Sequence, residues 1–237
     1  MFIKKIVFIF SFAVCLYSFS SLAHPVDIRK DATKTVGIVI FQGFELLDVF
    51  GPAEMFGALP EKIKLVLIGT TSGNIRSNQG IAVKVDTDIT HAPHVDILLI
   101  PGGQGVRTEI ANQALLHWLK KTASNTQYVL SVCTGSALLA KAGLLDNHRA
   151  TSNKSVFEWV ASQGSKVNWV RKARWVEDGK FITSSGVSAG IDMSLFFIKK
   201  LYGPKAVTEV ENYTEYTYKG DALDDKFSDL YLPSKPL

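Results

Sequence analysis

The chain has 237 residues, with 26 Lys or Arg against 22 Asp or Glu, a formal charge of +4 and 46% hydrophobic residues. That is enough apolar material for one well-cored domain, and the interspersed charges exclude a basic stripe for nucleic acid. Two cysteines exclude a disulfide-rich scaffold.

The first segment reads as a secretory signal. Lys4 and Lys5 precede an apolar run from Ile6 to Leu16, and Ser21-Leu22-Ala23 supplies small residues for a cut after Ala23. The apolar run is short for a membrane span. Residues 1–23 are therefore expected to be a cleaved leader, with residues 24–34 a short extension, the product periplasmic or secreted, and no membrane attachment after cleavage. Cys15 would leave with the leader, making Cys133 the last cysteine.

Strand and helix patterns then alternate. Thr35 to Phe41 is β-rich, Glu45 to Gly57 has helical spacing, and Ile63 to Gly69 is a strand. Asn74 to Val85 reads as a hairpin around Asn78-Gln79-Gly80. Val95 to Ile100 is an apolar strand ending in Pro101-Gly102-Gly103, followed by a helix through Trp118. The strand Val129 to Val132 runs into Cys133-Thr134-Gly135 and a helix. A short strand at Arg149 to Thr151 leads to a helix through Trp159. Arg174 to Val176 and Phe181 to Thr183 flank the hairpin turn Asp178-Gly179. Helices from about Val187 to Leu201 and after Pro204 complete a domain over residues 35–219. The polar tail, 220–237, is expected to wrap the surface or fray. This alternation predicts an α/β layered fold with a mostly parallel sheet.

In such sheets ligands bind at the carboxyl ends of the strands. Four loops fall there. Cys133 sits at a strand–turn–helix corner, the sequence form of a nucleophile elbow, where helix-start amides favour a thiolate. Gly102 and Gly103 allow close backbone approach, and their amides with that of Thr134 are candidates for holding a developing negative charge. Asp48, in the apolar run Leu46 to Phe50, needs a partner if buried, and beside a thiol it can act as acid or base. Thr134 offers a hydroxyl, and Gly186 opens the fourth loop. None of the five histidines stands in a catalytic or metal-ligand pattern, so neither a metal nor another cofactor is expected.

The set Asp48-Val49-Phe50-Gly51-Pro52, Pro101-Gly102-Gly103, Ser131-Val132-Cys133-Thr134-Gly135 and Ser188-Ala189-Gly190-Ile191-Asp192 resembles the DJ-1/PfpI superfamily, in its isonitrile hydratase-like branch. The resemblance runs from about Thr35 to Tyr218. It implies a flavodoxin-like three-layer sandwich, a homodimer, a reactive Cys133 and an acid at Asp48. In isonitrile hydratases the corresponding functional set maps onto Cys133, Asp48 and Thr134. Many members carry a histidine where this chain has Asn153, which counts against a Cys–His mechanism and makes Asn153 a pocket candidate. Related domains form the sensory half of AraC-type regulators, but no helix-turn-helix pattern follows here. The resemblance thus implies a cofactor-independent hydratase or lyase acting on a small molecule such as an isonitrile. A non-enzymatic small-molecule or oxidant sensor and a glyoxalase-like enzyme acting on carbonyl compounds stay open as alternatives.

Overall fold

Strand β1 (Lys34–Ile40) is closed to solvent along an unbroken run from Val36 to Ile40, which requires cover on both faces of the sheet. It belongs to a computed structural model that describes residues 33–232. The expected leader, Cys15 and all but the last two residues of the 24–34 extension lie outside the described residues, as do residues 233–237.

After β1 come α1 (Leu46–Gly57), β2 (Ile63–Gly69), β3 (Asn74–Arg76), β4 (Ala82–Lys84) and β5 (Thr87–Asp88). Next are β6 (Ile97–Ile100), α2 (Val106–Glu109), α3 (Gln113–Asn125), β7 (Tyr128–Ser131) and α4 (Gly135–Lys141). The chain continues through β8 (Arg149–Ala150), a single 3-10 turn (Lys154–Val156), α5 (Phe157–Ala161), β9 (Asn168–Trp169), β10 (Trp175–Asp178) and β11 (Phe181–Ser184). Helices α6 (Ala189–Tyr202), α7 (Pro204–Thr214) and α8 (Lys226–Tyr231) follow.

Seven strands form the central sheet in the order β10-β11-β7-β6-β1-β2-β5. All neighbours run parallel except the β10–β11 hairpin, which turns at Gly179 with φ +60°. Helices α1 and α6 pack together, and α4 packs with α2 and α3. The result is the expected single α/β domain with a mostly parallel central sheet. The chain builds outward from β1 to β2 and β5, then returns to lay β6 on the other side of β1. Such a reversal opens a crevice at the carboxyl ends of β1 and β6.

Several boundaries differ from the sequence reading. Helix α3 continues to Asn125, because Leu115, Leu119 and Ala123 keep one buried face going past Trp118. The β3–β4 hairpin stands as its own two-stranded sheet, and the short pairs contributed by β5 and β9 carry too few residues for a visible alternation. Within the described residues the polar tail forms α8, and Ala222 accepts a hydrogen bond from the Arg174 amide at 2.7 Å.

Candidate active site

The loops after β1 and β6 are tied to each other before any side chain is considered. Glu45 N–H donates to Gly102 O at 2.8 Å, and Gly105 N–H donates to Gly43 O at 3.0 Å. This seats the first turn of α1 over the end of β6 and carries Asp48 into the interior, with no solvent exposure. The Gly102 amide donates to Asp48 Oδ2 at 2.8 Å. A Cβ on Gly102 would lie 2.5 Å from Thr134 Oγ1 and 2.9 Å from Asp48 Oδ2, so the approach requires glycine. The other carboxyl atom, Asp48 Oδ1, is buried without a hydrogen-bond partner.

Cys133 leaves β7 with φ +58°, a left-handed conformation that costs a non-glycine residue energy and persists only where the surroundings over-determine it. They do so here. Cys133 N–H is shared between Ser184 O at 3.2 Å and Ser185 O at 3.3 Å. Cys133 O accepts from Ser152 Oγ at 2.8 Å and Ser136 Oγ at 3.2 Å. The strand–turn–helix corner read from the sequence is therefore a strained elbow held on both sides of its peptide.

Asn153 stands over the sulfur. Its Nδ2 donates to Cys133 Sγ at 3.2 Å, while its Oδ1 accepts from Ser155 N at 2.9 Å and Ser155 Oγ at 2.7 Å. Both donors of Ser155 thus decide which end of the amide faces the thiol. Gly186 closes the other flank: a Cβ there would meet Asn153 Nδ2 at 2.1 Å and Cys133 Sγ at 3.0 Å.

Two expectations about the site change. The amides of Gly102, Gly103 and Thr134 do not form an open cradle for negative charge. Gly102 N–H holds Asp48, Gly103 N–H donates to Thr134 Oγ1 at 3.0 Å, and the Thr134 amide faces the Cys133 sulfur. Nor is the thiol easily ionised: burial pushes it well above its usual value and the Asp48 charge adds to that. Asn153 and the Thr134 amide act in the opposite direction but do not prevail. Asp48 is raised to about 8, first by burial, against the lowering effect of the Gly102 amide; the field of Glu45 raises it further and the Cys133 side chain lowers it. Below that pH the pair rests as a neutral acid beside a neutral thiol.

The cleft above the sulfur holds about 130 Å³, room for about four waters at 30 Å³ each. Glu45, Gly103, Arg107, Thr134, Asn153 and Val187 are among its walls, and none of its lining residues is a histidine. Among the described residues, no group of three or more His, Cys, Asp or Glu side chains converges as a metal site would.

The model of the DJ-1/PfpI family matches residues 34–200. The chain belongs to the DJ-1/PfpI family. An isonitrile hydratase of Pseudomonas putida is 31% identical over 181 residues, covering 76% of this chain and 78% of that protein. A deglycase of Pyrococcus horikoshii is 31% identical over 114 residues, 47% of this chain and 67% of its own. The crystal structure of a ThiJ/PfpI family protein from Pseudomonas syringae superposes with a TM-score of 0.74 at 26% identity, covering 86% of this chain and 85% of the other.

Within this DJ-1/PfpI protein the structure brings Asp48, Cys133, Thr134, Gly102, Gly103, Gly186 and Asn153 into one contiguous cluster, of which Gly103, Cys133, Thr134 and Asn153 line the cleft. Sequence reasoning passed over three further contributors. Glu45 lies one helical turn before Asp48 and projects its charge on both Asp48 and Cys133; that spacing was the available signal. Arg107 lies over the Trp159 ring at 4.6 Å and lines the cleft. Lys154, next to Asn153, is almost wholly buried and pairs with Asp225 at 3.1 Å. No local pattern announces a pair that far apart in the sequence.

Proposed function

We propose that this protein is a cysteine-dependent, cofactor-independent hydratase that converts an isonitrile and water to an N-substituted formamide. The observation that carries the reading is the buried Asp48–Cys133 pair, a carboxyl held protonated below about pH 8 and in side-chain contact with the thiol, with no histidine among the residues that line the cleft. An isonitrile carbon is a weak base as well as an electrophile once protonated. Asp48 gives its proton to that carbon, Cys133 sulfur bonds to it, and the thiol proton returns to Asp48. The adduct is a thioformimidate. Water then bonds to the same carbon while the nitrogen takes the Asp48 proton and the water proton replaces it. Finally the C–S bond breaks: sulfur takes a proton from Asp48, the hydroxyl proton passes to Asp48, and formamide leaves. Asn153 and the Thr134 amide stabilise charge on sulfur as that bond breaks. The compact N–C end group suits the small cleft.

The similarity to an isonitrile hydratase speaks for the same substrate class. Asn153 cannot accept a proton, which speaks against chemistry that needs a Cys–His pair. A buried thiol held protonated is a poor oxidant sensor. On this reading the enzyme works outside the cytoplasm as a homodimer; the leader pattern of residues 1–23 supports the first point, and exposed Leu47 and Phe50 on α1 support the second. The intact mass of exported protein and sedimentation at several concentrations test these two points.

The deciding assay is formamide release from a panel of small isonitriles by wild type, Cys133→Ala and Asp48→Asn. Turnover by wild type and its loss in both variants is the expected result. Full turnover by Cys133→Ala would falsify the mechanism, and no turnover by wild type removes the substrate class.

A further inference from the structure

We infer that the C-terminal segment roofs a second, larger cavity that receives the uncharged hydrocarbon substituent of the substrate. This inference rests on the hydratase reading for its substrate, but not for its geometry. Beside the small cleft lies a cavity of about 310 Å³, and the two share Asn153, Ser155 and Val187 as a common rim. Its apolar walls are Leu47, Val187, Phe227 and Tyr231, and Ser155, Ser185 and Ser188 add uncharged hydroxyls to the remainder. Phe227 and Tyr231 belong to α8, beyond the stretch 34–200 that matches the family. The roof is therefore built by residues outside the stretch that the family model matches.

Charge decides the kind of substituent. The only charged side chain among the lining residues is Lys154, and its ammonium is committed. It pairs with Asp225 at 3.1 Å and donates to Thr151 Oγ1 at 2.7 Å, Ala173 O at 2.9 Å and Ser152 O at 3.0 Å, with both side chains only 1% exposed. No free cation remains there to receive a carboxylate or phosphate, and no free anion to receive an amine. The small cleft, walled by Glu45 and Arg107, takes the polar reacting end. The larger cavity takes an alkyl or aryl group, whose transfer from water is favourable against apolar walls.

The same contacts show why the roof is fixed. Asp225 immediately precedes α8, and Lys172 holds Asp229 within that helix at 2.9 Å. Lys154 follows Asn153 directly, so the anchor of the roof and the donor to the sulfur are adjacent along the backbone.

The test uses the full chain with Phe227→Ala and Tyr231→Ala. Both side chains are more than a third exposed in the unliganded protein, so their truncation leaves the core intact, and melting temperature checks this. Cys133 alkylation by iodoacetamide, 2-iodo-N-phenylacetamide and iodoacetate is measured, each rate divided by that of free cysteine. Wild type is expected to favour the phenyl reagent over iodoacetamide and to disfavour iodoacetate. Each variant should cut the phenyl preference at least fivefold and leave the iodoacetamide rate within twofold. An unchanged phenyl preference in both variants overturns the roof, and equal handling of iodoacetate overturns the neutral cavity. These readouts need no hydration, so absence of formamide sinks the proposed reaction without touching them. Where formamide does form, KM for cyclohexyl isonitrile rises in the variants while that for methyl isonitrile does not.

Discussion

Asn153 offers its amide nitrogen, and not its oxygen, to Cys133 because Ser155 holds the oxygen with two donors on the opposite side. The sulfur therefore faces a donor that cannot take its proton. Asn153→Ala should raise the thiol pKa further, since it removes a donor that favours the thiolate. The pH dependence of iodoacetamide labelling at Cys133 measures this. Asn153→Asp should go further, since a second carboxylate beside the sulfur opposes the thiolate. Labelling at neutral pH that is unchanged in both variants would show that the contact does not matter.

Gly186→Ala is expected to reproduce the effect of Asn153→Ala by a different route. The new methyl group would overlap Asn153 Nδ2, and the flexible amide rather than the strained Cys133 backbone is the part able to yield. The double variant should then be no worse than either single one, because both remove the same hydrogen bond. Additive losses in labelling rate would assign Gly186 an independent role.

Asp48 makes stability depend on pH. Its carboxyl shifts from a model-compound value of 3.8 to about 8 in the folded protein. Between those values the native state retains a proton that the unfolded state has lost. Stability associated with the neutral form is complete below about pH 4 and falls as pH rises to about 8, then levels off. Asp48→Asn keeps an acceptor for Gly102 N–H but cannot ionise. Its melting temperature relative to wild type should climb across that window, and a constant difference between pH 4 and 9 would contradict the shift. Activity should be lost in the same variant.

Lys154 and Asp225 form a buried pair whose members are costly to separate. Lys154→Met alone strands an anion, and Asp225→Leu alone strands a cation, each at about 3–5 kcal/mol. The double variant, apolar on both sides, should recover most of the loss in denaturant titrations. No recovery would mean that the hydrogen bonds from Lys154 to Thr151, Ser152 and Ala173 outweigh the ion pair.

The fold was legible because its signals are local. A buried run such as Ile97 to Ile100 reads as a parallel strand, and Cys133-Thr134-Gly135 after Val132 reads as an elbow. The gathering of Asp48, Cys133 and the Gly102 loop followed from the rule that sites lie at strand ends. The Cys133 protonation state did not follow, because it depends on burial and on a carboxyl brought from α1. The destinations of the Gly102 and Gly103 amides were hidden for the same reason: their acceptors are fixed by tertiary approach. Tail docking was also out of reach, since Asp225 gains meaning only when Lys154 is seen to be buried.

Residues 34–200 contain every strand of the central sheet, while Asp225 lies beyond them. A truncation that removed Asp225 would strand the buried ammonium of Lys154 and untether the adjoining Asn153 loop, so damage near the far end of the chain would be felt beside Cys133.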